Sequence, residues 1–346
     1  MFSDTTLIGL EISTTGIKLV EIKHSKSDQS AQILTFGTAT HTIDLEGYWN
    51  ATKLRQLSII IEEILKKNHF TGLKTIMGIM SRHVYVTSMD FEATASKAKI
   101  QSEIDRQAPY FLPYPPDETH LSWKEAKINP TIVEYTNKKR INITALPDFV
   151  IENSKNLLEQ INLDGISLEN QTVSQLRSLL MGDVGNTILV DIGANQTTLS
   201  IVVDGSLRST SQIPFGSHQI TKDLASSLGL SDITAESFKQ DLHLVNLFQL
   251  PKPILDFYKV LRTELSTFVE LNRKIGQSPD KVILTGGGVS TAGLVEYFKD
   301  NPLPNSLPIY LGNPLRNTKV NRELMPLLSP IANQLSTAIG LALLRE

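Results

Sequence analysis

Apolar and polar positions alternate in short runs at the start of the chain. The segments LIGLEIS (7–13), GIKLVEI (16–22) and AQILTFG (31–37) are rich in β-branched residues. The turn-prone TTG and HSKSDQS separate them, so a three-stranded meander is predicted. The period then changes. Leu54, Leu57, Ile60, Ile61, Ile64 and Leu65 recur at helical spacing behind Asn50 or Thr52 as cap, and TIMGIM (75–80) reads as a further strand. From 83 to 160 the pattern is α+β: a strand near VYVTSMDF, a helix over 96–107, strands near THLSWKEAKI and RINITAL, and a helix over 148–160. Prolines 109, 113, 115 and 116 argue against helix and for an extended path in APYFLPYPPDE. That loop reads either as a stiff connector or as a partner surface presenting Tyr110, Phe111 and Tyr114.

The second half repeats the opening. After a helix read over ENQTVSQLRSLL (169–180), the segments TILVDIG, TTLSIVV and SLRSTSQI predict a second meander with turns at ANQ and DG. Helices are expected over roughly 217–228, 234–241 and 252–275, then a strand KVILTG, a helix near 294–298, a strand PIYLG and a final helix over 331–344. Placing IGLEISTTGIKLVEI over ILVDIGANQTTLSIV sets Glu11 on Asp191, an offset of 191 − 11 = 180 that holds without a gap. Each copy ends a buried strand in a carboxylate, turns through small residues and returns as the partner strand. Two lobes facing across a cleft would bring both turns together. Small or hydroxyl residues let backbone N–H groups approach phosphate, and a carboxylate can hold hydrated Mg²⁺ or orient a water. In VILTGGG, Gly286, Gly287 and Gly288 would let a flat nucleoside lie on the backbone.

Composition narrows the classes. The chain has 346 residues, enough for two domains or one two-lobed fold. Its formal net charge of −3 provides no field for nucleic acid or anionic lipid. Zero cysteines exclude disulfides, thiolate zinc and a cysteine nucleophile. The seven histidines form no His-x-x-x-His pair, and neither a Gly-x-x-x-x-Gly-Lys loop nor a Gly-x-Ser-x-Gly elbow occurs. The triplet Lys138-Lys139-Arg140 reads as a solvated hairpin tip, and the stripe Leu255, Tyr258, Leu261, Leu265, Phe268 and Val269 as lobe core. No run reaches the about 20 apolar residues that span a bilayer, and the N-terminus lacks a signal segment. The expected location is the cytoplasm.

The paired meanders, VDIGANQT, LTGGG and the C-terminal helix resemble the actin-like ATPase superfamily. GLEISTTGIKLVEI, IPFGSHQITKDLASSLGLS, Ala235-Glu236-x-x-Lys239, AIGLALLRE and IDRQAPYFLPYPPDE resemble its type IV pilus assembly branch, itself similar to the FtsA division proteins. That resemblance implies a two-lobed α/β actin-like ATPase fold with an inserted α+β subdomain in the first lobe. The first lobe would take 1–82 and 161–184, the insert 83–160 and the second lobe 185–346, with a subdivision at roughly 215–275. It implies ATP and Mg²⁺ as ligands. One phosphate turn would be Ser13, Thr14, Thr15 and Gly16 with Lys18 on the returning strand, the other Gly193, Ala194, Asn195, Gln196 and Thr197. Glu11 and Asp191 would serve the metal, with Asp191 and Glu169 as catalytic carboxylates. Gly216, Glu236, Lys239 and Gly286 to Gly288 would surround the nucleoside.

The implied partner is the short cytosolic N-terminal tail of the inner-membrane protein PilN, held in a groove between insert and first lobe. Through it the chain would join the pilus inner-membrane alignment complex at the inner face of the membrane, as a homo-oligomer or ring, without inserting in the membrane and without nucleic acid. An FtsA-like division protein tethering filaments to the membrane is the alternative, but it needs an amphipathic terminal helix, whereas STAIGLALLRE reads as core. A sugar-kinase-like phosphotransferase needs a carboxylate base beside a polar pocket, and none is identified. The superfamily's first turn usually reads Asp-Ile-Gly; here it is Glu11-Ile12-Ser13. Misplacing a catalytic group by about 1 Å costs on the order of a hundredfold in rate, so slow or absent hydrolysis is expected. A left-handed backbone at Ser13 would cost roughly 1–2 kcal/mol and weaken binding.

Overall fold

A computed structural model of the chain describes residues 4–125, 137–183, 185–241 and 250–345. In chain order it contains β1 (Thr5–Ile12), β2 (Gly16–His24), β3 (Ala31–Thr40), α1 (Ala51–Lys67), β4 (Lys74–Ile79), β5 (Tyr85–Glu92) and α2 (Lys97–Phe111). β6 (Thr119–Glu125), β7 (Lys138–Pro147), α3 (Asp148–Gln160), β8 (Asp164–Asn170) and α4 (Gln171–Leu180) follow. Next come β9 (Thr187–Ile192), β10 (Thr197–Val203), β11 (Ser206–Ile213), α5 (Ser217–Leu228), α6 (Asp232–Asp241) and α7 (Lys252–Lys274). The last elements are β12 (Lys281–Thr285), α8 (Leu294–Asp300), β13 (Ile309–Leu311), β14 (Lys319–Val320), α9 (Met325–Leu328) and α10 (Ser336–Ala342). Two compact units emerge: Met1–Arg177 with Thr318–Asn321 and Thr337–Glu346, and Ser178–Asn317 with Arg322–Ser336.

The first unit is built on a sheet of order β14-β3-β2-β1-β4-β8. β1, β2 and β3 form the antiparallel meander, while β4 and β8 run parallel to β1 and to each other. Period-two alternation sends Ile8, Leu10 and Ile12 to one face, where they meet Leu57, Ile61 and Ile64 of α1 and Leu157 and Leu158 of α3. Burying each of these side chains contributes about 1.5–3 kcal/mol. Asn50 caps α1, its Oδ1 accepting from Lys53 N–H at 2.9 Å. The other face packs Leu7 and Ile76 against Leu341. There Gly9 is required, because a Cβ would collide with the Ala338 carbonyl of α10. Gly340 of α10 is equally constrained by the Ser174 carbonyl of α4.

Inside this unit a three-stranded sheet, β5-β7-β6, covers α2 through Phe91, Ile100, Ile104, Ile141 and Ile143. Three sequence expectations change here. The helix runs on through Pro109 to Phe111, because a proline in a last turn forfeits only its own bond while Leu112 N–H still reaches Ala108 O at 3.0 Å. Of the three aromatic residues, Tyr110 is exposed, whereas Phe111 stacks on Tyr85 and Tyr114 donates to Arg82 O. The basic triplet is no turn tip. It opens β7, with Arg140 bound to Asp90 at 2.7 Å and Lys139 Nζ on Ala95 O. Residues 126–128 of the strand expected at THLSWKEAKI lie outside the described residues, as does His243.

The second unit repeats the plan, with sheet order β11-β10-β9-β12-β13. β9, β10 and β11 are the second meander, and β12 and β13 run parallel to β9. Its core joins Ile188, Val190 and Ile192 to Ile220 and Leu224 of α5 and to Ile254, Tyr258, Leu261 and Leu265 of α7. The last helix, expected over 331–344, is instead a tighter three-residue-per-turn segment at Ser329–Leu335 followed by α10, and α9 precedes both. Pro330 has no N–H to donate there, which breaks the α-helical ladder.

Three histidines of the first unit are buried: His24, whose Nε2–H donates to Ala342 O at 2.7 Å, His41 and His83. Burial holds each ring's pKa below the ordinary value. A ring kept neutral in the folded chain binds a proton more readily once unfolded, so stability is full above about pH 6.5 and declines as pH falls through it. The midpoint of urea unfolding should drop between pH 7.5 and 5.5, with a slope approaching about 1.4 kcal/mol per pH unit for each ring. His83→Phe should flatten that slope, and a midpoint independent of pH would contradict the assignment.

Candidate functional site

The two hairpins expected from the internal repeat have the same local geometry, each within its own unit. Ser13 N–H donates to Gly16 O at 2.8 Å, and Gly193 N–H donates to Gln196 O at 3.0 Å. The atoms are related by the offset of 180 residues. So is the register: Glu11 pairs with Lys18 and Ile12 with Ile17, as Asp191 pairs with Thr198 and Ile192 with Thr197. Four-residue turns of this kind expose successive N–H groups to an anion.

The serine in the first turn carries no strain. Ser13 is absent from the positive-φ positions, as is Gly193, so the expected left-handed penalty does not arise. A Cβ on Gly193 would come within 2.9 Å of Gln196 O, whereas Ser13 turns its Oγ onto the equivalent carbonyl, Gly16 O, at 3.0 Å. Glu11 is buried and accepts from Lys18 Nζ at 2.7 Å across the ladder. The extra methylene of glutamate thus carries its carboxylate to the lysine that the sequence placed on phosphate. Thr14 and Thr15 sit half-buried at the tip.

Glu169 does not open a helix. It lies on β8 opposite Gly78, and α4 starts at Gln171. Both of its oxygens are taken by Arg177, Nη2 to Oε1 at 2.5 Å and Nη1 to Oε2 at 2.8 Å, and Nη1 also reaches Gly340 O. Such a bidentate pair holds the carboxylate in one orientation.

In the second unit α5 docks directly on the turn at 193–197. Ser217 N–H donates to Gly193 O at 2.9 Å and His218 N–H to Ala194 O at 2.8 Å, while Thr197 Oγ1–H donates to Phe215 O. Gly216 permits this approach, since a Cβ would lie 2.5 Å from both the Gly193 and Ala194 oxygens. Asn195 is exposed and Gln196 half-buried at the tip. The glycine triplet meets the same strand end. A Cβ at Gly286, whose φ is +89°, would collide with Asp191 Oδ1, and one at Gly288 with Ile192 Cγ2. Gly287 faces only Gln334, at 3.6 Å. Tyr258 anchors the segment that follows, its Oη–H shared between Ala292 O at 2.6 Å and Thr291 O. Turn, carboxylate and triplet therefore form one assembly.

Glu236 and Lys239 belong to neither a solvated face nor an open rim alone. Lys239 is 4% exposed and donates to Glu236 Oε2 at 2.7 Å, Thr221 Oγ1 at 3.0 Å and Ser217 O at 3.2 Å, tying α6 to the first turns of α5. Burial raises the pKa of Glu236, but the bonds from Lys239 and Thr221 outweigh it and hold the carboxylate below its ordinary value. Sequence reasoning missed the groups that brace the turns: His41, Arg177, Thr221 and the α5 amides.

The donor set suits a nucleotide carrying its own cation. Among the described residues no three acidic or histidine side chains converge to hold a metal. Mg²⁺ on a nucleotide typically needs only one or two protein carboxylates, and Asp191 stands half-buried at the turn that offers N–H groups. A separate small cavity, partly open to solvent, lies in the first unit, lined by Ile12, Leu45, Trp49, Met77 to Met80, His83, Phe149, Val150, Asn153 and Ser154.

The family model for the type IV pilus assembly protein PilM matches residues 9–346. A structure of a PilM–PilN type IV pilus biogenesis complex matches with a TM-score of 0.80 at 20% identity, covering 97% of each chain. MreB5 of Spiroplasma citri, bound to AMPPNP, matches with a TM-score of 0.50 at 11% identity over 97% of this chain and 94% of that one. These likenesses speak to the fold, the mixed α/β fold of actin-like ATPases. The cell division protein FtsA of Neisseria meningitidis serogroup B (strain ATCC BAA-335 / MC58) is 28% identical over 102 residues, 29% of this chain. The match spans a quarter of that relative, 25% of its length.

The close packing of the triplet makes its glycines unequal. Gly286→Ala should destabilise the chain by about 3 kcal/mol or more, because it combines a disfavoured φ with a collision against Asp191. Gly287→Ala should cost under about 1 kcal/mol. Urea unfolding of both variants distinguishes them, and equal losses would refute this account.

Proposed function

The chain belongs to the type IV pilus assembly protein PilM family, and from that premise we propose that it is an ATP-binding scaffold that holds the short cytosolic N-terminal tail of PilN. The match from residue 9 to the end of the chain carries this reading. Whole-chain likeness to the PilM–PilN complex structure supports the choice of partner. No described helix is long and apolar enough to cross a membrane, so attachment at the inner face of the membrane would come through the tail.

For the nucleotide, the tip of each matched turn, 14–15 in one unit and 194–195 in the other, would present backbone N–H groups, those of Ser13 and Gly193 being used to close the turns. Of the two carboxylates proposed for the metal, Asp191 is favoured because it stands half-buried at the turn, whereas Glu11 is buried and already accepts from Lys18. Mg²⁺ would neutralise phosphate charge there. Glu236 keeps a partly open side chain toward the nucleoside, while Lys239 is spent on bracing α5. Slow turnover is the reading that fits Glu169 being held by Arg177 and Glu11 by Lys18, which leaves Asp191 as the remaining candidate to orient the water. For the tail, the cavity between the insert residues His83, Phe149 and Asn153 and the lobe residues Leu45, Trp49 and Met80 would take an apolar side chain.

A fluorescent ATP analogue should saturate the purified chain in the presence of Mg²⁺, bind more weakly after chelation, and release phosphate at close to the uncatalysed rate. Absence of binding at millimolar nucleotide would overturn the nucleotide assignment. Separately, a labelled peptide with the sequence of the PilN tail should show a saturable rise in anisotropy. Met80→Glu should weaken that binding about tenfold or more at a temperature where the variant is still folded, since it sets a charge against an apolar wall. An unchanged affinity would exclude this cavity.

A further inference from the structure

His41 makes two hydrogen bonds to the first turn. Its backbone N–H donates to Thr15 O at 3.0 Å, and its ring Nε2–H donates to Ser13 O at 3.0 Å. The tautomer is fixed from the other side, because Ile43 N–H donates to Nδ1 at 3.2 Å, so Nδ1 must carry the lone pair and Nε2 the proton. The ring is buried, with 8% of the residue exposed. We infer that His41 is a positioning residue for the first phosphate turn, holding the Ser13 carbonyl so that the next amide is aimed at an anion.

The reason lies in peptide geometry. Across a planar trans peptide the carbonyl oxygen and the following N–H point in opposite directions. Pinning Ser13 O toward the imidazole therefore turns the Thr14 N–H away from the ring. The second unit supplies an independent comparison. The carbonyl at the equivalent position, Gly193 O, is also pinned by an outside donor, there the Ser217 amide at the start of α5. The same atom of both turns is thus held, once by a helix amide and once by a side chain. An imidazole does at the first turn what the docked helix does at the second.

This inference rests on the nucleotide reading above, and its test separates the two. The fluorescent ATP analogue with Mg²⁺ is titrated against the full chain, His41→Leu and His41→Gln, and the melting temperature of each is measured without nucleotide. His41→Leu should bind about five- to tenfold more weakly, the equivalent of about 1 kcal/mol for one neutral hydrogen bond. His41→Gln, which offers an amide donor near the Nε2 position, should recover affinity to within about twofold of the unaltered chain. If the unaltered chain binds and His41→Leu binds equally well, or both variants lose affinity equally, the positioning role is wrong and the nucleotide reading stands. If the unaltered chain binds nothing, both fall. Should His41→Leu fail to fold, nitrogen chemical shifts of the unaltered protein decide instead. His41 must show a protonated Nε2 and an unprotonated Nδ1, with a resonance change on adding the analogue; the opposite tautomer or an unchanged resonance overturns the inference.

Discussion

A loop that offers its N–H groups to an anion must place its carbonyls elsewhere, and that constraint shapes everything around the two hairpins. Each peptide plane has a donor and an acceptor facing opposite ways, and a buried carbonyl without a partner costs about 1–3 kcal/mol. At the first turn the acceptors are met by Ser13 N–H, Ser13 Oγ–H and His41; at the second by Gly193 N–H and the first amides of α5. Those requirements reach outward. The α5 amides can arrive only because residue 216 is glycine, and α5 is held in turn by Lys239 from α6. A network of neighbours therefore supports a turn of four residues.

Glycine acquires a different meaning in this light. In the sequence, the triplet at 286–288 suggests room for a flat ligand. In the structure, Gly286 and Gly288 are glycine because Asp191 and Ile192 occupy the space a side chain would need. The close approach has a consequence even so, since it sets the Asp191 carboxylate against the β12 turn and the triplet beside the strand end that leads into the 193–197 turn. Only Gly287 has room for a Cβ, which would meet Gln334 at ordinary contact distance. Packing and ligand access are divided among three adjacent residues.

Much of the fold was legible because it is written in period-two alternation bounded by turn residues. β10, β11, α3 and α5 begin and end where those signals put them, and Asn50 caps α1 as its position suggests. What escaped was set by tertiary contact. β8 is a parallel strand whose last residues, Glu169 and Asn170, run directly into α4, so ENQTVSQLRSLL reads as one continuous helix until β4 supplies its ladder partner. β14 has two residues and no periodicity to detect. Glu21 looks like an outward-facing strand residue but is 1% exposed, its carboxylate collecting Thr71 N–H, Thr71 Oγ1–H and Gly72 N–H. The matched register of the two hairpins was readable from the repeat, while the partners of their residues were not. Lys18, Arg177 and His41 each act through a group distant in sequence or across a strand, and no local pattern announces such a pairing.

The two hairpins share a backbone and differ in charge. On the first, the ladder sets a lysine against the carboxylate, and the longer glutamate closes the gap to 2.7 Å. Across the second, the residue facing the aspartate is threonine. A carboxylate paired at hydrogen-bonding distance loses much of its pull on a divalent cation, because the ammonium group already satisfies its charge. Two turns of one backbone plan thus carry different groups opposite their carboxylates, a lysine for Glu11 and a threonine for Asp191. A shorter aspartate in place of Glu11 would hold its oxygens back from Lys18 and restore the symmetry. The substitution of glutamate for aspartate at that strand end, read at first as a misplacement of catalytic chemistry, is better understood as the residue that completes an ion pair within the sheet.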